Sequence, residues 1–242
     1  MTWLMLTPIA LAAGSMAQPL DIPPVHYPSL PSSARTAEGF VPAGWGVVAR
    51  KTGDLNADGR PDVVLLLQMR DSANILPVGA GDQTERFDTN PHMLAVAFAE
   101  RAGGYRLAAS NRGLFIRPTG PWTGDEPLNE DTIRIERGGL LVSFGHLRGH
   151  ASYRFRWQSG AFRLIGYESG GASGGCVETI SINYLTGRTR VSNDPISSDR
   201  TRYVWRAVSG SAPTLSEIDL ETFIPSTGIA GPPARCTPPA DE

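Results

Sequence analysis

Between residues 45 and 208 short apolar runs keep returning, and Gly-rich or polar turns separate them. That rhythm leaves little room for anything except a sheet protein. Its plainest instance is Tyr153, Phe155 and Trp157 alternating with Arg154 and Arg156, which assigns one strand face to a core and the other to water. Strands are expected at Trp45–Ala49, Val63–Gln68, Met93–Phe98, Tyr105–Ala109, Thr132–Glu136, Leu140–Phe144, Phe162–Tyr167, Glu178–Tyr184 and Arg202–Val208. Hairpin turns are expected at "ERAGG", "RGG" and "QSG". One segment has a helical pattern: "PTLSEIDLETF" offers Thr214 and Glu217 as a capping box and Leu215, Ile218 and Phe223 as an apolar stripe. The expected fold class is all-β, an antiparallel meander or sandwich-like domain with one short C-terminal helix.

Around that domain the chain divides by composition. Residues 1–17 are apolar and end in small residues, with Ser15 and Ala17 at −3 and −1 of a cleavage site, although no Lys or Arg precedes the run. Pro8 and Gly14 break the run, and it is too short to span a bilayer. A signal peptide and a periplasmic or secreted protein are therefore expected. Residues 18–37 are Pro- and Ser-rich and are expected as an extended linker or arm, 38–225 as the β domain, and 226–242 as a Pro-rich tail. Cys176 and Cys236 are the only cysteines. In an exported chain they are expected to pair, closing a loop of about 60 residues and contributing about 4 kcal/mol on the chain-entropy model. The formal charge of the 242 residues is −2 with both signs mixed, which gives no reason to expect nucleic acid as a partner.

The most specific chemistry lies in "GDLNADGRPDVVLLL", residues 53–67. Asp54, Asn56, Asp58 and Asp62 stand at positions 1, 3, 5 and 9 of D-x-N-x-D-G-x-x-D. Calcium takes six to eight hard oxygens at about 2.3–2.6 Å, and alternate residues of a tight loop can all face inward. Gly59 permits the sharp turn, Arg60 would offer its backbone carbonyl with its side chain toward water, and Asp62 closes the far side. Leu65 stands where an EF-hand has its bidentate Glu, and both flanks are strand-like.

The loop therefore resembles the calcium loops of the FG-GAP/VCBS class, which join β-strands in exported proteins. The resemblance implies Ca²⁺ held by Asp54, Asn56, Asp58, Arg60 and Asp62, as a weak structural site, but not a propeller, since the chain carries one such loop. More broadly, "VPAGWGVVARKTGDLNADGRPDVVLLL", "NPHMLAVAF", "FRLIGYES" and "INYLTGR" are similar to a group of exported bacterial proteins that brings no activity with it. The competing reading is an ordinary polar turn.

Other constellations are weaker. Gly171-Ala172-Ser173-Gly174-Gly175 has the form G-x-S-x-G, but "CVETISINY" after it is β-like where a nucleophile elbow needs a helix, so a flexible Gly-Ser loop is expected. His146 and His150 of "HLRGH" lie among glycines, which favours a hairpin over a metal-binding helix face; His92 or Glu168 would have to supply a third ligand. Glu126, Glu130 and Asp131 read as a solvated acidic loop, and Trp157 as core.

The expected function is an exported calcium-binding β-domain that is not an enzyme and binds an envelope ligand or protein, or acts as a scaffold there. Two alternatives stand beside it: a secreted hydrolase acting on envelope polymers, and a protease or lysozyme inhibitor. The hydrolase gains if the histidines, Ser173 and an acid meet in one pocket, and the inhibitor if a rigid loop protrudes and no pocket exists.

Overall fold

A computed structural model describes residues 20–79, 84–120, 126–208, 212–225 and Cys236. The expected signal peptide, Trp122 and the Pro-rich tail apart from Cys236 lie outside these residues. The strands are β1 (Ser33–Ala34), β2 (Trp45–Gly53), β3 (Asp62–Met69), β4 (Ile75–Val78), β5 (Glu85–Asp88), β6 (His92–Ala99) and β7 (Tyr105–Asn111). They continue as β8 (Ile133–Glu136), β9 (Gly139–His146), β10 (Gly149–Gln158), β11 (Ala161–Ser173), β12 (Cys176–Asn183), β13 (Arg188–Pro195) and β14 (Val204–Ala207). All pairings are antiparallel, in a five-stranded sheet β1-β7-β6-β3-β2, a seven-stranded meander β14-β13-β12-β11-β10-β9-β8 and a small β4-β5 ribbon. The fold is all-β, and no described helix is long and apolar enough to cross a membrane.

The five-stranded sheet is buried on both faces. Val64, Leu66, Leu94, Val96 and Phe98 turn toward the seven-stranded sheet, where Ile133, Leu140, Val142, Phe155, Phe162 and Leu164 meet them. Val63, Leu65, Leu67, Met93, Ala95 and Ala97 turn the other way and pack under Ala37 and Phe40, with Tyr27, Leu30 and Ala34 at the edge. That double burial accounts for the unbroken apolar runs "VVLLL" and "MLAVAF", in which alternation has no polar face to produce. Trp157 packs edge-on against Phe98, with ring centroids 4.8 Å apart, so it belongs to the core as expected.

The Pro/Ser-rich segment is an arm laid on the outer face of the five-stranded sheet. Its prolines offer carbonyls and no amide hydrogens, so side chains tie it down. The Arg117 guanidinium donates to the Pro23 carbonyl at 2.6 Å, to that of Thr89 at 2.6 Å and to Asn74 Oδ1 at 2.9 Å. Arg112 lies over the Tyr27 ring. The packed region therefore reaches back past Gly39.

The C-terminal helix is only a single 3-10 turn, Leu215–Glu217, though its capping box forms, with Thr214 N–H donating to Glu217 Oε2 at 2.7 Å. Tertiary partners take the groups a longer helix would use. Asn111 Nδ2 donates to the carbonyls of Leu215 and Ile218, and the Leu220 amide donates to the Gly113 carbonyl. Cys176 and Cys236 form the expected disulfide across 60 residues.

His92 is buried beside Phe115 on the edge of this core. Burial, followed by the repulsion of Arg70 and against the attraction of Asp88, pushes its pKa down to about 4. An imidazole whose folded pKa is depressed contributes stability that is intact above the unfolded value and lost as pH falls toward 4. Unfolding measured between pH 7 and pH 4 should show a loss of about 3 kcal/mol from this group. His92→Phe should flatten the profile in that window, and an unchanged profile would refute the assignment.

Candidate functional site

The acidic loop joins β2 to β3 and is anchored from within. Leu55 is 3 % exposed and belongs to the main core, which turns Asp54 and Asn56 outward on either side of it. Ala57 and Gly59 have φ of 64° and 78°, so the chain turns twice through the left-handed region, where a side chain is normally disfavoured. The Asp54 carboxylate stabilises the turn by accepting the amides of Asp58 at 3.2 Å and Gly59 at 2.9 Å. Asn56 Oδ1 accepts the same Asp58 amide, and Asp58 accepts the Arg60 amide at 2.9 Å.

Asp62 is fully buried. One of its oxygens accepts the Leu55 amide and the other the Ala99 amide, each at 2.9 Å, so a single carboxylate ties the loop to β3 and β6. Burial, then the nearby charges of Asp58 and Asp54, raise its pKa despite those amides. At Asp58 the loss of hydration works upward, but the Arg60 amide, the Asn56 side chain and the Arg60 guanidinium outweigh it and draw the pKa down. The Arg60 side chain keeps about 40 % of its surface in water. It folds back onto Asp58 and donates to the Ala99 carbonyl at 3.0 Å, because the three carboxylates attract the nearest cation.

All the expected donors thus belong to one loop and are hard oxygens, the set that suits Ca²⁺ over softer metals. Among the described residues no three His, Cys, Asp or Glu side chains stand close enough, as placed, to hold an ion. The carboxylates are engaged with amides and Arg60, and each keeps lone pairs beyond those bonds.

A second site lies at the far end of β9. The β8–β9 turn adjoins the acidic loop, where Ile135 packs on Gly53. The β9–β10 turn, Leu147-Arg148, lies eight residues away, about 25 Å along the strand. Here the inner face of the seven-stranded sheet extends past the main core and leaves a concave pocket of about 920 Å³. One cross-strand row runs His146, Gly149, Gly171, Glu178, Asn193; the next runs Phe144, Ala151, Ser169, Ile180, Val191. The glycines form the floor. A Cβ on Gly149 would stand 2.5 Å from His146 Cε1, so the imidazole lies across the strand only because that position is bare.

"HLRGH" is the expected hairpin, and strand alternation puts His146 on the inner face and His150 on the outer one, over Gly170. The G-x-S-x-G stretch is not a flexible loop. Residues through Ser173 continue β11, and Gly174-Gly175, with φ of 56° and 77°, make a tight two-residue hairpin turn into β12. No strand–turn–helix elbow forms. His146, Ser173 and Glu178 line the pocket from the inner face, His150 borders it with its side chain on the other face, and Cys236 of the disulfide stands in its wall. No hydrogen bond joins His146, Ser173 and Glu178. His92 lies in the five-stranded sheet, away from them, and Glu168 faces outward on β11.

Tyr167, Ser169, Glu178 and Asn193 were not singled out in the sequence, although alternation along β11 to β13 carried the signal. Burial first, and then the neighbouring Tyr167, push the Tyr153 phenol upward, so it remains protonated below the pocket. Comparison with known protein families, characterised proteins and solved structures finds no match for this chain.

Asp62→Ala should destabilise the protein by about 2–5 kcal/mol, because it leaves the buried amides of Leu55 and Ala99 without an acceptor. Chemical denaturation checks this, and a loss below about 1 kcal/mol would mean that water replaces the carboxylate.

Proposed function

We propose that this is an exported, non-enzymatic binding protein of the cell envelope, with Ca²⁺ bound in the acidic loop as a structural ion and a polar ligand bound in the glycine-floored pocket. The observation that carries the binding reading is the pocket itself. Its inner-face side chains, His146, Ser169, Ser173, Glu178 and Asn193, can hydrogen-bond a ligand, yet no nucleophile–base pair is in contact. The disulfide supports export, since such bonds persist in oxidising compartments. For calcium the support is the donor set, together with an Asp62 raised first by burial and then by the charges of Asp58 and Asp54. A cation would offset those charges, and Asp54, Asn56, Asp58, Asp62 and the Arg60 carbonyl would hold it.

The hydrolase is the second reading, favoured because His146, Ser173 and Glu178 share one cavity. An inhibitor called for a protruding loop and no pocket, and it gains nothing here.

Two experiments test these proposals. Melting of the oxidised protein in EDTA and in millimolar calcium should show a rise that saturates by mass action and is absent in Asp58→Ala. The rise should shrink as pH falls through the raised pKa of Asp62, since protonation removes a ligand; the metal-free protein meanwhile loses its Asp62 penalty on acidification. Equal melting with and without calcium would remove the metal. For the pocket, soluble cell-wall fragments should bind the wild type and not Ser169→Trp, which fills the floor. Cleavage of those fragments, lost in His146→Ala, would instead establish the hydrolase.

A further inference from the structure

The outer face of the seven-stranded sheet, opposite the pocket, concentrates charge that the overall balance conceals. One cross-strand row passes through Arg134, Leu141, Arg154, Gly166, Asn183 and Arg188. On the neighbouring rows of the same face stand Arg156 directly opposite Arg163, and Arg190 on β13. Against these six arginines the face sets Glu136, Glu168 and the largely buried Asp194, which pairs with Arg202, in a chain whose formal charge is −2. Arg134, Arg188 and Arg190 are exposed and Arg154 and Arg156 half-buried, while Leu141 between the first two row members is buried. The arginine stems roof the strand and their heads stay in water.

The guanidinium groups are also positioned. Arg188 stacks over Trp205 and Arg190 over Tyr203, each 4.9 Å from the ring centre. Arg134 and Arg154 share Glu136 between them, each at 3.3 Å. Facing arginines such as Arg156 and Arg163 repel across a strand pair, and a bound anion would relieve them.

We propose that this face is a docking surface for a linear acidic polysaccharide. The chemistry selects carboxylate, because a fixed guanidinium fork matches that group with two parallel hydrogen bonds. The spacing selects a sparsely charged polymer. With strands about 4.8 Å apart, Arg134 to Arg154 is about 10 Å and Arg154 to Arg188 about 14 Å. A nucleic acid strand carries a charge about every 3.4 Å and would leave most phosphates unmatched. The row crosses about 24 Å of sheet, and its one aliphatic side chain, Leu141, is buried.

The probe is hyaluronate, which has one carboxylate per disaccharide, immobilised and titrated with the oxidised full chain at low salt. Wild type should bind, with affinity falling steeply as salt rises. Arg134→Gln/Arg154→Gln/Arg188→Gln should bind about tenfold more weakly or worse, with a shallower salt dependence. Arg188→Gln alone, at an exposed site, should show part of that loss at unchanged melting temperature. Ser169→Trp should bind hyaluronate normally, which separates this face from the pocket. Undiminished binding by the arginine variants, no binding by wild type at low salt, or tighter binding to single-stranded DNA or phosphatidylglycerol vesicles at equal charge would each overturn the proposal.

Discussion

Everything in this molecule hangs on two strands that have no wet side. Val63–Leu67 of β3 and Met93–Phe98 of β6 are at most 3 % exposed, so the sheet they centre must be covered above and below. The seven-stranded meander covers one face and the N-terminal arm the other. Neither cover is optional, because an uncovered face would leave a broad apolar surface in water. The arm, low in regular hydrogen bonding, is therefore held by Arg117 and Arg112 reaching its proline carbonyls.

The acidic loop inherits its geometry from the same strands. It caps the β2–β3 hairpin, and its last carboxylate, Asp62, is the first residue of β3. Burying that carboxylate requires strong partners, which the amides of Leu55 and Ala99 supply from the loop and from β6. Asp54, Asn56 and Asp58 are then held close together, with Arg60 the nearest compensating charge. The turn's amides and the Arg60 guanidinium together offset the charge gathered there.

The meander does three jobs because it is longer and wider than the sheet it covers. Its β8–β11 end completes the core. Its extension through β11, β12 and β13 leaves a concave inner face around Gly149 and Gly171, closed at one side by the Cys176–Cys236 bond. Its outer face displays Arg154 and Arg156 on β10 and Arg188 and Arg190 on β13. Pocket and arginine face are back to back on the same strands, so substitutions on one need not disturb the other.

Alternation and turn chemistry in the sequence determined the all-β class, most of the strands though not β1, β4, β5 or β13, and the inward placement of Tyr153, Phe155 and Trp157. These depend on local backbone geometry, which a period of two reports directly. The acidic loop's spacing was equally legible, since its polar residues are neighbours in the chain. Other features were decided only by tertiary structure. Asn111 and Gly113 stop the C-terminal helix at one turn by taking its hydrogen-bonding groups from over a hundred residues away. Arg60 reached back to Asp58 and across to the Ala99 carbonyl, a contact 39 residues away. Glu178 came to line the same cavity as His146, and Arg134 to stand in line with Arg188, through strand register. Register accumulates over every hairpin of the meander, so which residues share a row across six strands is settled only when all of them pair.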